Sequence, residues 1–255
     1  MRHLTRVFTA LMVTATLALP AAAADRAKIE AFMQITGFDV ALDSMRLSAG
    51  QAPMMLGLSE DNFGEDWTRL ADEVFASEAL QSDALDILEQ TMDDEMLTHA
   101  AEFYASDLGQ RLVEAENAAH MDDSDASDTL GEELTVELLE QESPRIQYFR
   151  DMSTAIGSID NSIRSITEVQ VRFLMAASSA GLLEREFEEA DLRGMLMSRA
   201  DEMRQSMIVG SVTNAVYTYR EFSDDEMKAY LDALEHPLMQ RVYELMNAVQ
   251  FQLQA

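Results

Sequence analysis

Hydrophobic residues recur at helical spacing along nearly the whole chain. Phe63, Trp67, Leu70 and Val74 step i, i+4, i+7, i+11, as do Leu108, Leu112, Ala115 and Ala119, and again Leu238, Val242, Leu245 and Val249. Met227, Tyr230, Leu231 and Leu234 give i, i+3, i+4, i+7. Each set lays one apolar stripe along a helix facing a core, and no alternating strand pattern competes with them. The pattern predicts an all-α protein, a bundle of about ten helices.

Boundary signals punctuate these stripes. Ser143 before Pro144 reads as an N-cap with Pro at the first helical position. Ser223 with Glu226 forms the Ser-x-x-Glu pattern of a capping box opening the Met227 helix. His236-Pro237 ends that helix and starts the last one. Gly50, Pro53, Gly57 and Gly64 mark residues 48–64 as a loop. Asp122, Asp123, Asp125 and Asp128, with two serines among them, mark an acidic hinge.

Comparing the chain with itself reveals an internal repeat. Asp93-Asp94-Glu95-Met96 recurs as Asp224-Asp225-Glu226-Met227, and Leu108-Gly109-Gln110-Arg111-Leu112 recurs as Leu238-Met239-Gln240-Arg241-Val242. Arg199-Ala200-Asp201-Glu202 echoes Leu70-Ala71-Asp72-Glu73. The order of the three blocks agrees at a period of about 130 residues, which suits a tandem duplication into two related halves. Each block reads as a helical hairpin. An acidic cap, favoured by the helix dipole, opens the first helix, a short break follows, and the second helix carries Gln-Arg in its first turns. An Arg so close to a corner can pair with the acidic cap of a neighbouring helix. Phe103, Tyr104, Leu108 and Leu112 are the expected core of the first hairpin, and Leu231, Leu234, Leu238 and Val242 of the second.

The stretch Phe103-Tyr104-Ala105-Ser106-Asp107-Leu108-Gly109-Gln110-Arg111-Leu112 resembles the signature of the bacterial domain-of-unknown-function family 2059. That family carries an acidic-start helix and a Phe-Tyr-x-Ser-Pro-x-Gly-Gln-basic stretch, usually behind an export signal. The first copy has Asp107 in place of the Pro and one extra residue between cap and Tyr. The second, from Phe222 to Val242, keeps the acidic opening and Pro237 but has Ala233, Leu234, His236 and Met239 where the signature has Phe, Tyr, Ser and Gly. The resemblance implies an exported helical fold, and the family has no established activity to carry over.

The first residues change the picture of location. Arg2 and Arg6, an apolar run from Val7 to Leu19, and Ala22-Ala23-Ala24 form a Sec-type signal peptide, cleaved after Ala24. The run is too short for a hydrocarbon core that needs about 20 residues. The longest later apolar stretch, Val169 to Leu183, contains Arg172, so no transmembrane segment is expected in the mature form. The expected organisation is a signal peptide over 1–24, a helical half over 25–121, an acidic hinge and connecting helix over 122–142, and a second half over 143–255. The expected compartment is the Gram-negative periplasm.

Net charge is −29, and loss of Arg2 and Arg6 with the signal peptide takes it to −31. A field of that sign repels nucleic acid and anionic lipid headgroups and favours cationic partners or divalent ions. The chain has no Cys, which closes off thiol, disulfide and Cys-metal chemistry.

Candidate chemistry is sparse. Glu95, His99 and Glu102 fall at i, i+4, i+7 on one helix face and could hold Zn²⁺ or iron with ligands from a second helix. Asp122, Asp123 and Asp125 could take a hard cation such as Ca²⁺, although the stretch lacks the Gly and Glu of an EF-hand loop. Met54 and Met55 lie in the Gly/Pro-bounded loop, where they could dock on a partner or plug a groove. Arg111 and Arg241 persist in both copies and are candidate binding residues only if they line a pocket. No nucleophile elbow, phosphate loop, dinucleotide fingerprint or His-Glu-x-x-His is present. With no convergent catalytic set and no cofactor motif, the sequence favours a non-enzymatic binding or envelope-associated structural protein. Its apolar groove would face an apolar ligand or an envelope protein. The alternative is a metal-dependent hydrolase or divalent-cation-binding protein using the Glu/His row or the Asp-rich hinge. Oligomeric state is left open.

Overall fold

The computed structural model describes residues 26–50, 76–122, 125–179 and 188–254. These residues form twelve helices and no strand: α1 Arg26–Thr36, α2 Phe38–Gly50, α3 Ser77–Thr91, α4 Asp94–Tyr104, α5 Asp107–His120, α6 Asp125–Glu140, α7 Arg145–Ala155, α8 Ser158–Ser179, α9 Glu189–Met197, α10 Ala200–Thr218, α11 Asp224–Leu234 and α12 Pro237–Gln254. The chain is all-α, as its periodicity predicts. The stripe at Phe63–Val74 and most of the 48–64 stretch read as a loop lie outside the described residues, as do residues 1–24, read as a signal peptide, and Met54, Met55 and Asp123. Helix α2 runs on to Gly50, into the start of the stretch read as a loop.

Both repeat blocks fold as hairpins of the same form. Helices α4 and α11 each have 11 residues, and two-residue links, Ala105-Ser106 and Glu235-His236, join them to α5 and α12. The hairpins pack on each other through α4 and α12. Around them, α1, α2 and α3 close one side, while α6, α7 and α10 pack together on the other. One buried cluster runs through all of this, taking Leu42 and Leu88, Leu112 from α5, Phe149 from α7, and Met227, Leu234 and Val242 from the second hairpin. Burying each such side chain contributes about 1.5–3 kcal/mol, so this cluster is the main source of stability in a chain without disulfides.

The expected hairpin cores are found with a correction. Tyr104, Leu112, Leu231, Leu234 and Val242 are buried, whereas Phe103 and Leu108 are half-buried against the cluster. In α12 the buried face is Met239, Val242 and Val249, and Leu238 is only half-buried. The helix has apolar residues on two overlapping stripes, so spacing alone could not choose between them. Packing against α4 and α3 selects the one through Met239.

The caps follow the sequence signals. Asp93 accepts from the Met96 N–H at 2.8 Å, and Ser223 and Glu226 close a full capping box. The first hairpin turns its corner on Ser106, whose hydroxyl accepts from the Gly109 N–H at 3.1 Å. The second turns on His236, whose Nδ1 accepts from the Leu238 N–H at 3.3 Å, with Pro237 starting the helix. The Ser143 hydroxyl accepts from the Arg145 N–H at 3.3 Å, with Pro144 in helical backbone. The acidic hinge is shorter than its composition suggests, because α6 already begins at Asp125. Acidic residues in a first turn are favoured by the helix dipole.

Helix α6 ends in a Schellman turn: Ser143 N–H donates to Leu138 O at 2.9 Å and Glu142 N–H to Leu139 O at 3.2 Å. The left-handed position is held by Glu142, with φ of 51°. A non-glycine residue there costs about 1 kcal/mol. Glu142→Gly is therefore expected to raise stability by about 1 kcal/mol, measured by urea unfolding. An unchanged or lower midpoint would contradict this reading of the turn.

Candidate functional site

The arginines shared by the two repeat blocks meet the caps of the opposite hairpins. Arg111 of α5 pairs with Glu226 of the α11 capping box at 2.5 Å, and Arg241 of α12 pairs with Asp93, the N-cap of α4, at 3.0 Å. Arg111 also lies 4.8 Å above the Phe222 ring. The pairing is reciprocal: each hairpin's second helix supplies the arginine that meets the cap of the other hairpin's first helix. Both pairs are largely exposed, so each adds only about 0.2–1 kcal/mol. The Ser223 backbone N–H, then Arg111 and the Ser223 hydroxyl, hold the Glu226 carboxyl down to about 2. Stability from Glu226 is therefore full above the ordinary glutamate value of 4.5 and is lost as pH falls toward 2. Arg111→Ala should raise the Glu226 pKa only part of the way to 4.5, because the backbone donor remains, and an NMR titration of Glu226 would read this directly.

The other residues singled out in the sequence are dispersed. On α4, Glu95 and Glu102 are exposed, and the half-buried His99 ring stacks on His236 with centroids 4.2 Å apart. Burial, and then the neighbouring His236, lower the His99 pKa. Asp122 accepts from the Tyr217 hydroxyl at 3.0 Å. Among the described residues, no group of three His, Asp or Glu side chains is arranged to hold a metal ion.

A different set of polar groups converges in the interior. Glu116 lies one turn beyond Leu112 on the inner face of α5, and Tyr219 and Tyr230 both donate to its Oε1, at 2.7 and 2.8 Å. Tyr230 lies in the apolar stripe of α11, and Tyr219 caps the C-terminus of α10. Behind them the hydroxyls of Tyr104 and Tyr243 are 2.5 Å apart, each 3.5 Å from that of Tyr230. Four of the six tyrosines in the chain thus cluster around one carboxylate, two of them bonded to it, on five elements. Burial pushes the Glu116 carboxyl up, against the opposing effect of its two tyrosine donors. Burial also raises all four phenols, Tyr243 to about 12. The tyrosines therefore stay protonated and act as donors.

Glu116, Tyr219, Tyr230 and Tyr243 line one end of an open cavity of about 660 Å³ bordered by α5, α7, α8, α10, α11 and α12. Its walls include Phe149, Met152, Ile156, Ile159, Met207 and Leu234, with hydroxyls and an amide from Ser153, Ser211 and Asn214. No Lys or Arg lines it, and Arg111 and Arg241 are not part of its wall. The size suits a small organic ligand, for which pockets of about 300–1,000 Å³ are usual. Sequence reasoning placed Tyr104 in the core of the first hairpin and Tyr230 in an apolar stripe, and did not single out Glu116, Tyr219 or Tyr243. One signal was present: Leu108, Leu112, Glu116 and His120 share one row at i, i+4, i+8, i+12, so a carboxylate interrupts an apolar face.

Comparison with known proteins adds one match. A family model described as an uncharacterized protein conserved in bacteria (DUF2059) matches residues 78–137, from α3 through the first hairpin into α6. The matched span contains the Phe103–Leu112 stretch and Glu116, while Tyr219, Tyr230 and Tyr243 lie outside it. Searches of the curated proteins and of the solved structures gave no significant match.

Proposed function

We propose that this protein is an exported, non-enzymatic binding protein that takes a small amphiphilic molecule into the cavity between α5, α7, α8 and α10. The observation that carries this reading is the cavity's composition. Apolar atoms make most of its lining, and a carboxylate with tyrosine hydroxyls occupies one end. An apolar pocket with a few convergent polar groups is the common form of a small-molecule site. Catalysis is less well supported, because raised phenol pKa values leave no phenolate near neutrality to serve as base or nucleophile. The export reading rests on the residue 1–24 pattern, and the periplasmic form is expected to begin at Asp25. The matching hairpins and their reciprocal arginine pairs support descent from a duplicated unit.

Gly210 gives a direct test. It lines the cavity, and a Cβ added there meets no heavy atom within 4 Å. Gly210 is exposed at the cavity rim, so Gly210→Trp should set an indole over the opening without disturbing the helix packing. In a thermal-shift screen of small amphiphiles, a compound that stabilises the wild-type chain should lose its effect on this variant. Equal stabilisation of both proteins by every active compound would place binding elsewhere and sink the proposal.

A further inference from the structure

We infer that the polar end of the cavity is a receptor for an organic ammonium ion, with Glu116 as its counter-charge and tyrosine rings as its walls. The inference rests on the cavity being a ligand site and specifies what enters it. Both tyrosine donors address Oε1 of Glu116, and among the described residues no protein group donates to Oε2. No Lys or Arg lines the cavity, and no charged group contributes to the shift of the Glu116 carboxyl. A half-buried carboxylate without a cationic partner is partly stripped of water, and a ligand that supplies the cation relieves that cost.

The aromatic arrangement favours the same ligand charge. Phe149 and Tyr219 are stacked at 5.8 Å, and Tyr230 meets Tyr219 edge-on at 5.9 Å. These three rings, with Tyr243, line the Glu116 end of the cavity. Aromatic faces attract ammonium groups through their quadrupoles, more strongly when the site is desolvated. An anionic head group would instead meet the Glu116 charge, with its nearest hydroxyl donors already committed to that carboxylate and to each other. The apolar wall beyond takes the hydrocarbon part of the same molecule. The strongly negative protein field favours the approach of cations.

Titration calorimetry with three probes of matched length tests this: hexylammonium, hexanol and hexanoate. Hexylammonium should bind the mature chain about tenfold or more tightly than either of the others. Glu116→Gln should lose that preference, so that hexylammonium no longer binds more tightly than hexanol. Binding should also strengthen as pH rises and Glu116 ionises, with proton uptake by the buffer below that point. His120 is the other group at the cavity that titrates between acid and neutral pH, since Tyr104, Tyr219, Tyr230 and Tyr243 remain protonated throughout. His120→Gln should therefore preserve the trend. If Glu116→Gln is too unstable to titrate, the buffer-dependent proton release of the wild-type chain gives the answer alone. Hexanol binding as tightly as hexylammonium, and blocked by Gly210→Trp, would leave the cavity reading intact and overturn the ammonium assignment. Failure of all three probes to bind would overturn both.

Discussion

Gly109→Ala is expected to destabilise the protein by about 3 kcal/mol, the upper end for overpacking in a tight interior. The methyl group would lie 2.4 Å from the Phe103 carbonyl oxygen and 2.6 Å from the Tyr104 Cα. Both are backbone atoms, so no side chain can swing aside, and the α4–α5 corner itself must open. Tyr104 is 2% exposed and Leu112 wholly buried, so an opened corner also displaces the core of the first hairpin. The matching position in the second hairpin carries Met239, whose side chain is wholly buried, so that corner leaves room that the first does not. Gly210→Ala provides the contrast, since its added Cβ meets nothing within 4 Å. It should stabilise the chain by about 0.5–1 kcal/mol, because glycine is a poor residue inside a helix. Thermal unfolding of the two variants should therefore shift in opposite directions. Shifts of the same sign would show that the corner is not tight at Gly109.

Glu116→Gln should raise stability on the order of 1 kcal/mol at pH above the raised carboxyl value, the low end for a polar group withdrawn from water without full compensation. The amide oxygen can accept from Tyr219 and Tyr230 as Oε1 does, while the buried charge is gone. Because the fold raises the Glu116 pKa above 4.5, the folded chain holds this proton more tightly than the unfolded one. Stability attributable to Glu116 is therefore full below 4.5 and falls as pH climbs through the raised value. The gain from Gln should be absent in acid and grow as pH climbs through the raised value. Glu226 runs in the opposite sense, losing stability toward pH 2, so the difference between wild type and variant must be read rather than either curve alone. A gain independent of pH would mean that Glu116 does not titrate between those limits. Gln at this position would thus stabilise the fold while removing the charge assigned to the ligand, which is the trade expected of a site residue.

The sequence specified the local structure because its determinants are local. Helical periodicity, the Asp93 and Ser223 caps, the Pro237 break and the two hairpins depend on residues within a turn or two of each other. Their physics is hydrogen bonding to free helix ends and burial of one stripe per helix. The same reasoning anticipated that a corner arginine would meet an acidic cap. It did not reveal that the caps would be exchanged between hairpins separated by more than a hundred residues, as Arg111–Glu226 and Arg241–Asp93 are.

The candidate site was hidden for the opposite reason. Tyr104, Glu116, Tyr219, Tyr230 and Tyr243 follow no common spacing, and each alone passes for a stripe residue or a helix-end residue. The Glu/His row on α4 had a regular spacing and drew attention, yet two of its members face solvent. By itself the sequence determined an all-α chain with paired hairpins and a strongly acidic surface. Only the tertiary structure decided which α12 stripe is buried, why Gly109 must lack a side chain, and which carboxylate is drawn against tyrosine hydroxyls. Those outcomes depend on close contact between helices remote in sequence, and desolvation of a group is a property of what surrounds it in space.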